Sequence, residues 1–293
     1  MTKGQATITG FIAVLLWALL AALTVGTAPM PPLLLTAVTF AIGGAIGLAW
    51  IAWTGGWRDL LHVSPKVYLF GTAGLFGYHF LYFSALRLAP PAEASLIAYL
   101  WPLFIVLLSG LLPGERLNAG HVAGALLAFA GAALILSGGA GGDLTGGAIA
   151  GLGLAFLCAL TWAGYSVGSR LLGQAPTASV AIFCVMTAVL SALAHQLTEV
   201  TAWPASGWGW ASCIALGVGP VGLAFYVWDI GVKRGNIQLL GVTSYAAPLL
   251  STIVLILAGQ AEASPRIAIS AALITSGAVM AARAGARKRP LQA

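Results

Sequence analysis

Apolar residues in this chain run in long blocks, apolar around the whole helical circumference, and the charges gather in the short breaks between them. Strict alternation would mark strands, and a single apolar stripe would mark a helix lying on a soluble core. Neither pattern is kept. Blocks of this kind suit hydrocarbon, where about 20 apolar helical residues cross the bilayer core. Ten spanning helices are predicted. The first five cover about Ile8–Gly26, Leu33–Trp53, Val67–Leu88, Ala92–Leu112 and Ala119–Ser137. The second five cover about Gly146–Leu171, Thr177–Val200, Trp208–Val232, Ile237–Ala258 and Ile267–Ala282. Between the groups lies the glycine-rich run Gly138–Asp143, read as a flexible linker, and the chain ends in a basic tail, 284–293. The first block follows Lys3 as a signal peptide would. It is long for one and lacks a small-x-small cleavage site before Pro29, so it is expected to stay as a span.

The chain also echoes itself. Shifted by 146, Ala85–Leu103 lies over Gly231–Leu249, with Arg87 on Lys233, Ser95 on Gly241, Tyr99 on Tyr245 and Pro102 on Pro248. A repeat constrains the whole architecture. Each half, 1–138 and 144–283, holds five spans, an odd number, so the second copy must cross the membrane in the opposite sense. The expected fold is an all-α polytopic membrane protein with ten transmembrane helices in two inverted five-helix repeats. Inverted repeats put a binding site near the midplane between the halves.

Composition agrees with hydrocarbon as the solvent. The chain is 60% hydrophobic and 7% charged, against about 25% charge in a soluble domain. In lipid the backbone must satisfy itself, which leaves helices or closed barrels, and barrel strands alternate. The net charge of +6 points to basic cytoplasmic loops rather than to nucleic acid. With the N-terminus inside, Lys3, Arg58, Lys66, Arg116, Arg170, Lys233, Arg234, Arg283, Arg287, Lys288 and Arg289 fall on one side, and Arg87 and Arg266 on the other. Both termini are therefore expected in the cytoplasm. Cys158, Cys184 and Cys213 form no CxxC and suggest neither disulfide nor metal; no cofactor is expected.

Two groups of aromatics separate. Trp50, Trp53 and Trp57, and Trp203, Trp208 and Trp210, sit at span ends as interfacial belts. The others lie inside spans, where a tyrosine hydroxyl needs a polar partner. Tyr78 and Tyr82 are four apart and His79 three before Tyr82, so the three share a helical face. Trp17 and Trp162 are matched across the halves, each beside small residues. Tyr99 and Trp101 are about 200° apart on one helix and would diverge unless a kink re-aims one. With Tyr165 and Tyr245 these are the candidate substrate-binding residues. Pro102 and Pro248, each mid-span and matched, are candidate hinges for gating.

Ionisable groups inside spans are costly and often functional. His79 is open to three readings: binding a carboxylate, sensing pH, or bonding a tyrosine. Asp229 reads as an interfacial pair with Lys233, and Glu93 as a rim charge near Arg87. Gly164–Gly168 fits GxSxG and Gly217–Gly222 fits GxGxxG, but neither lies in the strand context such motifs need. Gly43-x3-Gly47, Gly120-x3-Gly124 and Gly147-x3-Gly151 fit close helix packing.

Leu16-Trp17-Ala18 and Thr161-Trp162-Ala163, the stretch Ala85–Ser109 with Gly114-Glu115-Arg116 after it, and the ten-span length resemble the EamA repeats of the drug/metabolite transporter superfamily. The resemblance covers essentially the whole chain. Ala261-Glu262 departs from the Gly-Glu-Arg of the first repeat, which affects the register of the last span. Within the superfamily the chain is similar to the aromatic amino-acid exporters of bacterial inner membranes. That resemblance implies a non-enzymatic, multi-pass inner-membrane carrier. It would export aromatic and other neutral amino acids or related amphipathic metabolites by alternating access, through facilitated diffusion or exchange. Its partners would be a small-molecule substrate and the lipid bilayer, with no nucleic acid, and it would act as a monomer. A multidrug or other metabolite efflux carrier of the same fold, proton-coupled or not, is the alternative. A nucleotide-sugar carrier would want basic residues at cavity depth, and a membrane enzyme would want clustered Asp or His.

Overall fold

The structure, a computed structural model, describes residues 1–137, 146–172, 175–259 and 262–286. Regular structure among them is helical throughout. The run Gly138–Asp143, Ala261 and the tail residues Arg287, Lys288 and Arg289 lie outside the described residues. The first half contains α1 (Lys3–Trp17), α2 (Leu20–Gly26), α3 (Pro32–Thr54), the short α4 (Trp57–Leu61), α5 (Pro65–Leu88), α6 (Pro91–Ala98), α7 (Trp101–Ser109) and α8 (Ala119–Leu136). The second contains α9 (Gly146–Leu171), α10 (Ser179–Thr198), α11 (Gly207–Val218), α12 (Ala224–Arg234), α13 (Ile237–Thr243), α14 (Ala246–Leu257) and α15 (Pro265–Ala286).

Among the described residues, eight helical stretches are long and apolar enough to cross a membrane. The two predicted spans outside that set differ for physical reasons. Helix α5 has the length, 24 residues, but Tyr68, Tyr78, His79 and Tyr82 dilute its hydropathy. The α6–α7 stretch is apolar but shorter, Glu93–Ser109. Helix ends follow local chemistry. Thr2 and Gln5 form a capping box on α1, and Asn118 and His121 form one on α8. Helix α3 starts with Pro32 in its first turn and stops at Gly55, whose φ of 73° is the left-handed conformation that closes a helix at lowest cost.

Several stretches are broken in mid-course. The α6–α7 break falls at Tyr99–Leu100 and the α13–α14 break at Ser244–Tyr245. Each precedes its proline, Pro102 or Pro248, by two to three residues, so the prolines sit in the first turn of the following helix. There the missing N–H costs nothing, whereas mid-helix it would orphan a carbonyl. A third break separates α1 from α2 at Ala18–Leu19, and a π-helical turn, Gly219–Leu223, joins α11 to α12.

The helices pair across the halves. Helix α3 packs on α10, α8 on α15, α5 on α9 and α1 on α12. Exchanging the halves maps the first two pairs onto themselves and the last two onto each other. Glycines let the backbones touch in two of these pairs, and where α3 meets the π-helical turn. A Cβ at Gly10 would lie 2.8 Å from Gly231 Cα, one at Gly43 2.8 Å from Gly222 Cα, and one at Gly124 2.6 Å from the Gly277 carbonyl oxygen. The GxGxxG run is therefore a helix-packing segment, with Gly222 set against Gly43. Gly124→Val is expected to destabilise the fold by about 1–3 kcal/mol through overpacking. Gly153→Ala, in mid-helix with no atom within 4 Å of the added carbon, should keep or slightly raise the denaturation midpoint when both variants are unfolded in detergent.

Candidate functional site

Four tryptophans meet where the two halves meet. Trp17 ends α1, Trp101 opens α7, Trp162 lies in α9 and Trp228 in α12. Their six ring-centroid separations lie between 5.1 and 6.2 Å, mostly edge to face. Such geometries add about 0.5–1.5 kcal/mol per pair beyond area burial. Two indoles are pinned from the opposite half or a neighbouring helix. Trp17 Nε1 donates to the Pro220 carbonyl at 3.1 Å, and Trp228 Nε1 donates to Ser166 Oγ at 3.1 Å. Ser166, the centre of the GxSxG run, thus lies in mid-helix as an indole acceptor. Phe225 and Phe40 stack at 5.2 Å beside this cluster.

On one side of the tryptophans a less buried set continues along α5. Tyr78 lies 5.2 Å from Trp162, and Tyr82 stacks on Tyr78 at 6.1 Å with its hydroxyl 3.2 Å from Ser95 Oγ. His79 lies edge-on to Phe40 at 5.0 Å, and its Nδ1–H donates to the Leu75 carbonyl at 2.8 Å. Trp17, Tyr78, His79, Tyr82 and Tyr99 keep partial exposure, while Trp101, Trp162 and Trp228 are nearly or fully buried.

Most of the sequence-predicted residues come together here. The helix break at Tyr99–Leu100 parts Tyr99 from Trp101: Trp101 joins the indoles, and Tyr99 packs with Val106 and Tyr245 in an adjacent core. Tyr165 touches Trp162 at 5.3 Å but is buried against Phe70. Tyr245 does not reach the cluster. It is fully buried and accepts the Leu103 amide at 3.0 Å, one of the otherwise orphaned donors at the start of α7. Trp228, Phe225 and Phe40 join this aromatic cluster although the sequence pattern did not single them out. The shift of 146 carries His79 onto Phe225 and Tyr82 onto Trp228, so the internal repeat held the signal for two of the three.

Charged networks differ at the two ends of the bundle. At the Lys3 end, the Glu115 carboxylate takes both Lys3 and Arg170. Arg170 also donates to the Val232 and Gly235 carbonyls at 3.1 and 2.8 Å, at the negative end of α12. Thr7 Oγ1 accepts the Asn236 amide at 2.8 Å. Asp229 pairs with Lys233 at 2.9 Å and receives Thr177 Oγ1–H at 2.7 Å. That pair was expected at the interface; the structure buries it, with Asp229 1% exposed. At the other end, Glu199 caps α3 by accepting the Leu33 and Leu34 amides at 3.1 and 3.2 Å, and it pairs with His195 and Arg87. Arg87 thus finds Glu199, across the fold, as its carboxylate partner.

The comparisons with known proteins follow the same outline. The model of the EamA-like transporter family matches residues 5–137 and again residues 149–283. A protein of Ancylobacter novellus, aromatic amino acid exporter YddG, is 53% identical over 282 residues, covering 96% of this chain and 98% of that one. Aromatic amino acid exporter YddG of Salmonella typhimurium is 26% identical over 86% of this chain and 88% of its own. A solved structure described only as the crystal structure of a protein superposes with a TM-score of 0.91 at 52% identity, covering 97% of this chain and 99% of that one.

The matched tyrosines give a direct test. Tyr245→Phe removes the acceptor of a buried amide and should cost about 1–3 kcal/mol of stability. Tyr99→Phe, at the partly exposed mate, should cost less than half as much in the same detergent unfolding assay.

Proposed function

The chain belongs to the EamA-like transporter family, and on that footing we propose that it exports aromatic amino acids, with other neutral amino acids and related amphipathic metabolites as further cargo. The aromatic assembly at the junction of the halves carries the proposal: Trp17, Tyr78 and Tyr82 keep exposed ring surface for a ring on the substrate, backed by the buried indoles of Trp101, Trp162 and Trp228. The exporters of Ancylobacter novellus and Salmonella typhimurium support the same assignment by name and by extent of match. The protein is a multi-pass membrane protein of the inner membrane. In our reading α5 and the α6–α7 stretch complete the eight apolar stretches to ten crossings, in two inverted repeats of about 1–138 and 144–283, acting as a monomer.

Transport by alternating access fits the unequal ends. The Lys3 end is tied shut by Glu115, Arg170 and the α12 carbonyls, linking both halves. The partly exposed rings Tyr78, His79, Tyr82 and Tyr99 lie on the Arg87 side of the tryptophans, so the substrate path opens there. With both termini cytoplasmic, that side is the periplasm. Breaks beside Pro102 and Pro248 supply matched hinges. Facilitated diffusion or exchange is favoured because Asp229, a deeply buried acid, is held by Lys233 and Thr177 rather than free to cycle a proton.

Proteoliposomes holding the protein should take up labelled Phe or Trp well above empty liposomes, and equal uptake would overturn the assignment. Trp17→Leu should raise KM about 2- to 12-fold, the equivalent of one lost ring pair. For orientation, alkaline phosphatase fused after Leu88 should be active and a fusion after Arg116 inactive.

A further inference from the structure

His79 has a hydrogen-bonding state that the geometry fixes. Its Nδ1 lies 2.8 Å from the Leu75 carbonyl oxygen, one turn back on α5. A carbonyl can only accept, so Nδ1 carries a proton. The ring is then surrounded by other rings: Phe40 at 5.0 Å, Tyr78 at 5.2 Å, Phe225 at 6.2 Å and Phe83 at 6.3 Å. An imidazolium there would be an unpaired charge in apolar surroundings, which is costly, so the ring is neutral. In a neutral imidazole with Nδ1 protonated, Nε2 is an acceptor with a free lone pair. Nε2 bonds to no described residue, and it is not among the buried polar atoms that lack a partner. It therefore keeps accessible surface.

A lone pair presented from inside a box of aromatic faces suits one kind of group. A carboxylate would meet lone pair against lone pair and the negative faces of the rings. An ammonium would donate to Nε2 and be attracted by the same faces, which draw cations within about 6 Å. Resting on the assignment of this site to aromatic amino acids, we propose that His79 receives the substrate's α-ammonium group, with Phe40, Phe83 and Phe225 around it. The substrate ring then lies against Trp17 and Tyr78, the partly exposed rings that border the buried indoles. The two subsites are one ring apart, since Tyr78 touches both His79 and Trp162 at 5.2 Å.

Two truncated analogues test this in proteoliposomes by competition with labelled Phe. Phenethylamine keeps the ammonium and lacks the carboxylate; 3-phenylpropanoate keeps the carboxylate and lacks the ammonium. On the wild type, phenethylamine should compete at concentrations at least tenfold lower. In His79→Leu that preference should fall below threefold, with 3-phenylpropanoate nearly unchanged. His79→Gln, whose Oε1 reaches the place of Nε2, should keep it, which separates a lost acceptor from a misfolded protein. A wild type that prefers 3-phenylpropanoate, or a His79→Leu variant that keeps the full preference, overturns the proposal while leaving Phe transport standing. Absence of any Phe flux removes the transport assignment instead. Calorimetric binding of the two analogues then decides the ammonium site separately, and equal binding sinks it.

Discussion

In hydrocarbon, a backbone N–H or C=O must find its partner inside the protein, and the organisation of this chain follows from that. Unbroken helices meet the requirement by themselves. A break reopens it, and here two of the irregular sites are served by aromatic side chains carrying a polar tip. Trp17 donates to the Pro220 carbonyl at the π-helical turn, and Tyr245 accepts the Leu103 amide at the start of α7. Tyr226 donates to the Gly43 carbonyl at 3.0 Å, where α3 meets the π-helical turn through Gly222. Each of these bonds crosses from one half to the other. The groups that mend the backbone are thus also groups that hold the halves in register, and a substrate site at that junction inherits a rigid frame.

Much of this was legible in the sequence because the governing signals are coarse. Apolar length predicts helices in a membrane whatever their neighbours, and the helical stretches fall where the apolar blocks do. Trp17, Trp101 and Trp162 were identifiable because rings with polar tips are costly in lipid unless they face inward. The less legible part depends on side-chain direction. Tyr99 and Tyr245 are indistinguishable by position in the repeat, yet one keeps partial exposure and the other is sealed around a backbone amide. Only the tertiary placement of α7 against α13 and the break that follows it separates them. Phe40 carries no polar tip and is one phenylalanine among eleven, so nothing in composition or spacing singled it out. Asp229 looked interfacial by its distance from the end of α12. The packing of α9 and α10 over that end buries it.

The likeness of the halves also makes their differences informative. Arg87 and Lys233 occupy matched positions, but Lys233 bonds within its own helix to Asp229 and Arg87 reaches across to Glu199. Glu115 has Ala261 as its counterpart under the same shift and Arg170 has Thr24, so the clasp at the Lys3 end has no equivalent at the other. A pseudo-symmetric scaffold has thereby acquired two unequal mouths: at one, Glu115 and Arg170 meet beside the α12 carbonyls, and at the other Arg87 reaches Glu199 at the capped start of α3. Surface ion pairs are weak, but Arg170 here is largely shielded and also bound to two carbonyls, which makes the fastening stronger than a single exposed pair.

Four indoles within 5.1–6.2 Å of one another have a consequence outside energetics. At such spacing their electronic transitions mix, and the edge-to-face angles make the combination chiral. The protein therefore carries an intrinsic optical signature at its centre, sensitive to any rotation of α1 against α12. Near-ultraviolet circular dichroism can follow the approach of the two halves without a label.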